Sequence, residues 1–144
     1  MHILLLYLSL LKKSVINKMS SSSGKHLICD IKNIKNQCLL NDVEQLKQVF
    51  DYICEKYNYN VLHKVQHLFD PQGITILYML SESHLSIHTF PEKGYAALDL
   101  YTCREYDNND VYLDIKEYLK KVFESSDDTF TIIERQYGSK TIIK

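Results

Sequence analysis

The sequence contains no tryptophan, only four glycines and two prolines, and no large excess of charge of either sign. The scarcity of glycine and proline excludes collagen-like and low-complexity classes. With 17 basic and 18 acidic residues, the formal net charge is −1, which gives no support for nucleic acid as the main partner. The four cysteines form no C-x-x-C pair, which argues against zinc-ribbon and thioredoxin motifs. Free thiols in a reducing cytoplasm are the simplest interpretation of this cysteine pattern.

A long apolar run is also missing from the chain. The apolar stretch of residues 1–11 is shorter than the roughly 18 residues that cross a bilayer. Its two lysines follow the stretch, whereas a signal peptide carries its positive charges before it. We therefore expect no membrane partner and interpret residues 1–23 as a disordered or weakly attached leader that ends in a serine-rich linker. Residues 24–144 are long enough for one domain with its own core.

Hydrophobic periodicity predicts the element order β-α-β-β-β-β-α-β. The predicted strands are 25–34, 61–69, 74–80, a stretch starting at 84, 95–101 and 129–134, and the predicted helices are 43–57 and a stretch capped at 108–110. Neighbouring strands joined by tight turns favour an antiparallel sheet, and two amphipathic helices can cover one of its faces. We therefore predict an α+β two-layer sandwich. The other face also needs a cover, so we predict a homodimer.

Residues 81–92 form a polar stretch between two apolar runs that have the pattern of core strands. The stretch contains serines, two histidines and two glutamates, and polar groups set into a sheet cost free energy unless they are satisfied. The stretch therefore predicts a functional site. His84, His88 and Cys103 could suggest zinc, but the sequence offers no fourth ligand at a suitable spacing, and we expect no metal.

The same stretch carries a resemblance to a known family. Residues 82–92 read ESHLSIHTFPE, and residues 95–103 read YAALDLYTC. This pattern resembles the short bacterial and archaeal class of S-adenosylmethionine decarboxylase proenzymes, and the resemblance covers roughly residues 24–136 in element order. It implies an enzyme that makes its own cofactor from a serine of its chain.

The resemblance assigns four residues to chemistry. It implies that the bond between Glu82 and Ser83 is cut and that Ser83 becomes a covalent pyruvoyl group, which forms a Schiff base with the substrate amine and takes up the electrons left by CO₂ loss. His88 is the implied proton acceptor in processing, and Cys103 is the implied proton donor in catalysis. The expected products of processing are residues 1–82 and 83–144, which remain associated.

The resemblance also implies a set of substrate contacts. Phe69 and Phe90 match the positions that sandwich the adenine, and Glu92 matches the carboxylate that holds the ribose hydroxyls. Thr75 stands where the family often has a serine near the reacting end of the substrate. Two positions depart from the pattern: Phe90 replaces a common tryptophan, and Arg104 follows the cysteine where glycine is common.

Three functions are therefore compatible with the sequence. The first is decarboxylation of S-adenosylmethionine to supply aminopropyl groups for polyamines such as spermidine. The second is a related pyruvoyl-dependent decarboxylase acting on arginine or ornithine, and Phe69 with Glu92 favours the first over it. The third is a non-cleaving regulatory homologue. The four intact residues implied in chemistry argue against it: Glu82, Ser83, His88 and Cys103.

Overall fold

The computed structural model describes residues 22–136, which contain six strands and two helices. The strands are β1 (Ser22–Ile31), β2 (Val61–Leu68), β3 (Ile74–Leu80), β4 (Ser83–Phe90), β5 (Tyr95–Thr102) and β6 (Thr129–Gln136), and the helices are α1 (Val43–Lys56) and α2 (Asp110–Phe123). Short 3₁₀ turns, Gln37–Asn41 and Pro91–Lys93, precede α1 and join β4 to β5. The predicted order of strands and helices is confirmed.

The six strands form one antiparallel sheet with the order β2-β3-β4-β5-β1-β6. Three consecutive hairpins build the part from β2 to β5, and β1 then inserts between β5 and β6. The strands that carry the polar stretch and its continuation, β4 and β5, therefore lie at the centre of the sheet.

One face of the sheet carries the core. Along β4, Leu85, Ile87 and Thr89 are buried, and the residues between them are only partly buried. Both helices pack their apolar sides onto this face, and their buried residues are Leu46, Val49, Phe50, Ile53 and Cys54 of α1 and Tyr112, Ile115, Leu119 and Phe123 of α2. Phe50 meets Tyr78 of β3 edge to face, with ring centroids 5.1 Å apart. The predicted two-layer α+β sandwich is confirmed.

The opposite face of the sheet, called the open face below, is defined by the alternate residues of each strand. The cross-strand register pairs Val65 with Leu77, Leu77 with Ser86, and Met79 with His84. Val65 is 58%, Met79 42% and Leu77 39% exposed. Apolar side chains are thus exposed on β2 and β3, at one side of the open face, an arrangement typical of surfaces that bind another protein.

The boundaries of β1 differ from those predicted. The strand begins at Ser22, ahead of the predicted domain boundary at Gly24, because Ser22 and Gly24 both pair with β6. It ends at Ile31 because the next residue donates its N–H to the Asp128 carboxylate and Asn33 adopts a φ of +50°. Residues 1–21 of the predicted leader lie outside the described part of the chain.

Capping residues explain where the two helices begin. Asp42 caps α1 by accepting a hydrogen bond from the Gln45 N–H at 3.0 Å. At α2 the side chain of Asn108 accepts from the Asp110 N–H at 2.9 Å. Among residues 22–136, neither helix combines the length and hydrophobicity needed to cross a bilayer.

Candidate active site

The tight turn between β3 and β4 contains the Glu82–Ser83 peptide bond. Leu80 and Ser83 pair directly across the turn. Ser83 has a φ of +143°, a region that residues with a side chain rarely adopt. Such a conformation costs on the order of 1–3 kcal/mol and persists only where the surrounding structure enforces it. Backbone strain therefore lies next to the bond that sequence analysis expects to be cut.

The carbonyl group of this bond is held by a neighbouring strand. Glu82 O accepts a hydrogen bond from the backbone N–H of Cys103 at 2.9 Å. Cys103 follows the last residue of β5, beside β4, and its side chain is exposed. A backbone donor on a carbonyl oxygen is the arrangement that stabilises negative charge when that carbonyl is attacked. The structure thus brings Glu82, Ser83 and Cys103 together at one end of β4.

A second group of predicted residues gathers at the other end of β4, around His88. Thr75 lies opposite His88 in the β3–β4 register, and its hydroxyl is 2.5 Å from His88 Nδ1. The ring centroids of Phe69 and Phe90 are 5.1 and 4.4 Å from that of the imidazole. The predicted proton acceptor therefore lies among the predicted adenine-binding residues.

Tyr95 belongs to this second group, although sequence reasoning missed it. It pairs with Phe90 across the β4–β5 connection, and the two rings stack with centroids 5.4 Å apart. Its hydroxyl donates to Asp30 at 2.6 Å, and this hydrogen bond, together with burial, raises the pKa of Tyr95 to about 12. Glu92 is exposed and lies in the 3₁₀ turn that connects Phe90 to Tyr95 along the chain. The short connection after Phe90 was the sequence signal for this pairing.

The two groups are separated within one chain. Ser83 and His88 are the first and sixth residues of the same strand, so at about 3.3 Å per residue they lie roughly 16 Å apart. A side chain of His88 cannot span that distance to the Glu82–Ser83 bond. Within one chain, Ser83 and His88 therefore lie in separate groups.

A third polar cluster on the open face lies between these groups and β6. His26 Nε2 is 3.0 Å from Asp99, and its ring lies 6.3 Å from that of His84. Burial, reinforced by the neighbouring His26, lowers the pKa of His84. Among residues 22–136, no three His, Cys, Asp or Glu side chains converge where a metal ion could bind.

Comparison with known proteins covers nearly all of the described chain. The family model described as S-adenosylmethionine decarboxylase matches residues 25–136. An S-adenosylmethionine decarboxylase proenzyme of Brevibacillus brevis is 42% identical over 110 residues, which cover 71% of this chain and 82% of the relative. A proenzyme of the same name from Methanococcus aeolicus is 38% identical over 117 residues, covering 81% of this chain and 94% of the relative.

A solved structure supports the fold. The adenosylmethionine decarboxylase of Aquifex aeolicus superposes with a TM-score of 0.70 at 24% sequence identity, covering 85% of this chain and 98% of that one. The single sheet with both helices on one face is thus the architecture of a solved protein of similar length.

Proposed function

Because the chain belongs to the S-adenosylmethionine decarboxylase family, we propose that it cleaves its own Glu82–Ser83 bond and then releases CO₂ from S-adenosylmethionine. The decarboxylated product would serve as an aminopropyl donor for polyamines such as spermidine. The observation that carries the proposal is the strained Ser83 beside a carbonyl that accepts a hydrogen bond from Cys103. The cytoplasmic location inferred from the cysteines stays a prediction.

The proposed cleavage uses only atoms of the chain and one water molecule. Ser83 Oγ attacks the Glu82 carbonyl carbon and releases its hydroxyl proton, the Glu82 C–Ser83 N bond breaks, and the nitrogen takes up a proton to become an amine, which yields an ester. Loss of the Ser83 α-proton then expels the Glu82 carboxylate and leaves dehydroalanine, which water converts to a pyruvoyl group and ammonia. The Cys103 N–H stabilises the oxyanion of the first step, and the strain at Ser83 is relieved as the chain opens.

Ser83 fits the pyruvoyl group because cleavage makes it the first residue of the 83–144 chain, at the free end of β4. When formed, the group supplies an electron sink for the electrons of the bond to CO₂. Ser83 pairs with Thr102 of β5, and Cys103 is the next residue along the chain. The exposed Cys103 thiol then lies where it can deliver a proton to the product. Ser83 and Cys103 would thus act from the same chain.

We place the remaining site residues on a second copy of the chain. A compact group lies roughly 16 Å from Ser83 and consists of His88, Thr75, Phe69 and Phe90. Because these side chains cannot contact the Glu82–Ser83 bond of their own chain, their proposed roles require contact with the bond of another chain. Two sheets packed through their open faces about a twofold axis would place this group of one chain against Ser83 of the other. The exposed apolar residues of the open face support this arrangement.

In the substrate, the adenine would stack on Phe69 and Phe90, and the exposed carboxylate of Glu92 would bind the ribose hydroxyls. The relatives reported above are all named adenosylmethionine decarboxylases. No contact among the described residues favours arginine, ornithine or a purely regulatory role.

Intact mass and CO₂ release test the proposal directly. Purified protein should separate into residues 1–82 and 83–144 without protease, the second fragment lacking a free amino terminus, and Ser83→Ala should remain whole. Processed protein should release labelled CO₂ from carboxyl-labelled S-adenosylmethionine and much less from arginine or ornithine. A wild-type chain that stays whole after long incubation contradicts the proposal.

A matched pair of substitutions tests the dimer. Leu77→Lys places a charge on the open face, whereas Leu113→Lys places one on the exposed side of α2, where Leu113 is 48% exposed. Light scattering should show a monomer for the first variant and a dimer for the second. A fully active Leu77→Lys monomer would refute the shared site.

A further inference from the structure

Arg104 connects the Glu82–Ser83 turn to the end of α1. Its guanidinium donates to the Tyr57 carbonyl at 2.6 Å, to the Asn58 carbonyl at 2.5 Å and to Glu82 Oε1 at 2.5 Å. The same group lies 5.0 Å from the centre of the Tyr59 ring. Carbonyls at the end of a helix lack partners within the helix and carry partial negative charge, so a planar cation with several donors suits them.

Two consecutive residues bind Glu82, one at its backbone carbonyl and the other at its side-chain carboxylate. The backbone N–H of Cys103 binds its carbonyl oxygen, and the side chain of Arg104 binds its carboxylate. The other carboxylate oxygen accepts from the Asn60 N–H at 3.2 Å, and the Ser81 N–H donates to the Asn60 carbonyl at 2.9 Å. The turn is thereby fixed from outside the hairpin that contains it.

The charge of Glu82 depends on these contacts. Its side chain is only 14% exposed, and burial by itself raises the pKa of a carboxyl group. Hydrogen bonds from Arg104, Ser81 and the Asn60 backbone outweigh that effect and lower the pKa of Glu82. Glu82 is therefore ionised at neutral pH and keeps its full attraction to the guanidinium.

We propose that Arg104 is a positioning residue for self-cleavage: by holding the Glu82 carboxylate, it keeps the Glu82 carbonyl aligned with the Cys103 N–H and within reach of Ser83 Oγ. This inference rests on the proposed function. Arg104 touches none of the atoms whose bonds change, since the new bond joins Ser83 Oγ to the Glu82 carbonyl carbon and the broken bond is Glu82 C to Ser83 N. It acts by preventing the turn from relaxing away from the strained conformation of Ser83.

The test measures the rate of cleavage of freshly refolded chains by electrophoresis and mass spectrometry. Arg104→Ala should cleave at least tenfold more slowly than wild type. Arg104→Lys should fall between the two, because one ammonium group cannot bind two carbonyls and a carboxylate in the same geometry. Lys56→Ala is the matched control: it removes another surface ion pair, to Asp114 at 2.5 Å, next to the same helix end, and should cleave at the wild-type rate.

A double variant separates positioning from a general loss of stability. If Arg104 acts through Glu82, Arg104→Ala combined with Glu82→Ala should cleave no more slowly than the slower single variant. The inference would be overturned if the fold-reductions in cleavage rate of the two single variants multiply in the double variant, or if Arg104→Ala cleaves at the wild-type rate. Either result would leave the proposed self-cleavage of the wild type intact. Absence of cleavage in the wild type would instead remove the proposed function and this inference together.

If Arg104→Ala fails to fold, Glu82→Gln gives the same test from the other partner. It keeps the side-chain length and one acceptor oxygen but removes the charge that Arg104 binds. Cleavage should be severalfold slower than wild type at pH 7 and no different from wild type at a pH low enough to protonate Glu82. Cleavage of Glu82→Gln at the wild-type rate at pH 7 would overturn the inference.

Discussion

The Thr75 hydroxyl and the His88 imidazole face each other across β3 and β4, with Oγ1 2.5 Å from Nδ1. This contact fixes the orientation of the ring and leaves Nε2 as the nitrogen that can exchange a proton with another group. Phe69 and Phe90 flank the same imidazole. We therefore propose that Thr75 on β3 supports the proposed chemistry of His88 on β4 by orienting its ring.

Thr75→Val should slow self-cleavage because it removes the hydroxyl while keeping the volume of the side chain. The loss of one hydrogen bond is worth about 0.5–1.5 kcal/mol, or roughly two- to tenfold in rate. Thr75→Ser keeps the hydroxyl and should remain near wild type. Electrophoresis over time measures both rates, and equal rates for Val and Ser would remove the hydroxyl from the mechanism.

Co-expression of two inactive chains tests whether His88 acts on the partner. Neither Ser83→Ala nor His88→Ala should cleave alone, the first for lack of the nucleophile and the second for lack of the proton acceptor. In mixed dimers, the His88→Ala chain has its own Ser83 and the His88 of its partner, so this chain should be cut. Different affinity tags identify the cut chain, and a mixture that stays whole would contradict the shared site.

Cys103→Ala should separate processing from turnover. The substitution keeps the backbone N–H that binds the Glu82 carbonyl, so cleavage should continue. Loss of the thiol should slow CO₂ release by about 10²–10⁴-fold, the usual contribution of one proton-transfer group. Cys38→Ala, which changes another exposed thiol, is the control. Normal turnover of Cys103→Ala would exclude the thiol as proton donor.

Phe90→Ala should weaken the use of S-adenosylmethionine because it removes one face of the proposed adenine site. One base stacked on an aromatic ring contributes about 1–3 kcal/mol, which predicts a rise in KM of roughly five- to 150-fold. Tyr52→Ala removes an exposed aromatic ring of α1, which stacks on Tyr118, and should leave KM unchanged. An unchanged KM for Phe90→Ala would argue against adenine stacking.

The pH dependence of stability should reveal the Glu82 carboxylate. Although burial opposes it, hydrogen bonding lowers the pKa of Glu82 in the folded chain, so its stabilising contribution is present above the unfolded pKa and is lost as the pH falls through the folded one. In a Ser83→Ala background that stays uncut, adding Glu82→Gln should lower the melting temperature at pH 7. The difference should disappear in acid, and a difference independent of pH would contradict this assignment.

Local pattern was sufficient to predict most of the fold. The spacing of apolar residues in α1 and the alternation of Leu85 and Ile87 along β4 were correct because burial on one face imposes periods of 3.6 and 2. The ends of β1 were shifted because the pairing with β6 at Ser22 and the backbone at Asn33 depend on contacts and dihedrals that hydrophobic spacing does not encode.

The linear motif in residues 82–103 was enough to name the family, and the predicted roles of Glu82, Ser83, His88 and Cys103 rest on it because chemistry depends on residue type. The motif could not reveal the backbone strain at Ser83, the hydrogen bond from the Cys103 N–H to the Glu82 carbonyl, or the ion pair between Arg104 and the Glu82 carboxylate. Each of these depends on contacts where strands and a helix end meet. Nor could it separate Ser83 from His88. That separation follows from the extended geometry of β4, which stretches five residues over roughly 16 Å and so leaves a proton acceptor in the same motif beyond the reach of its proposed target.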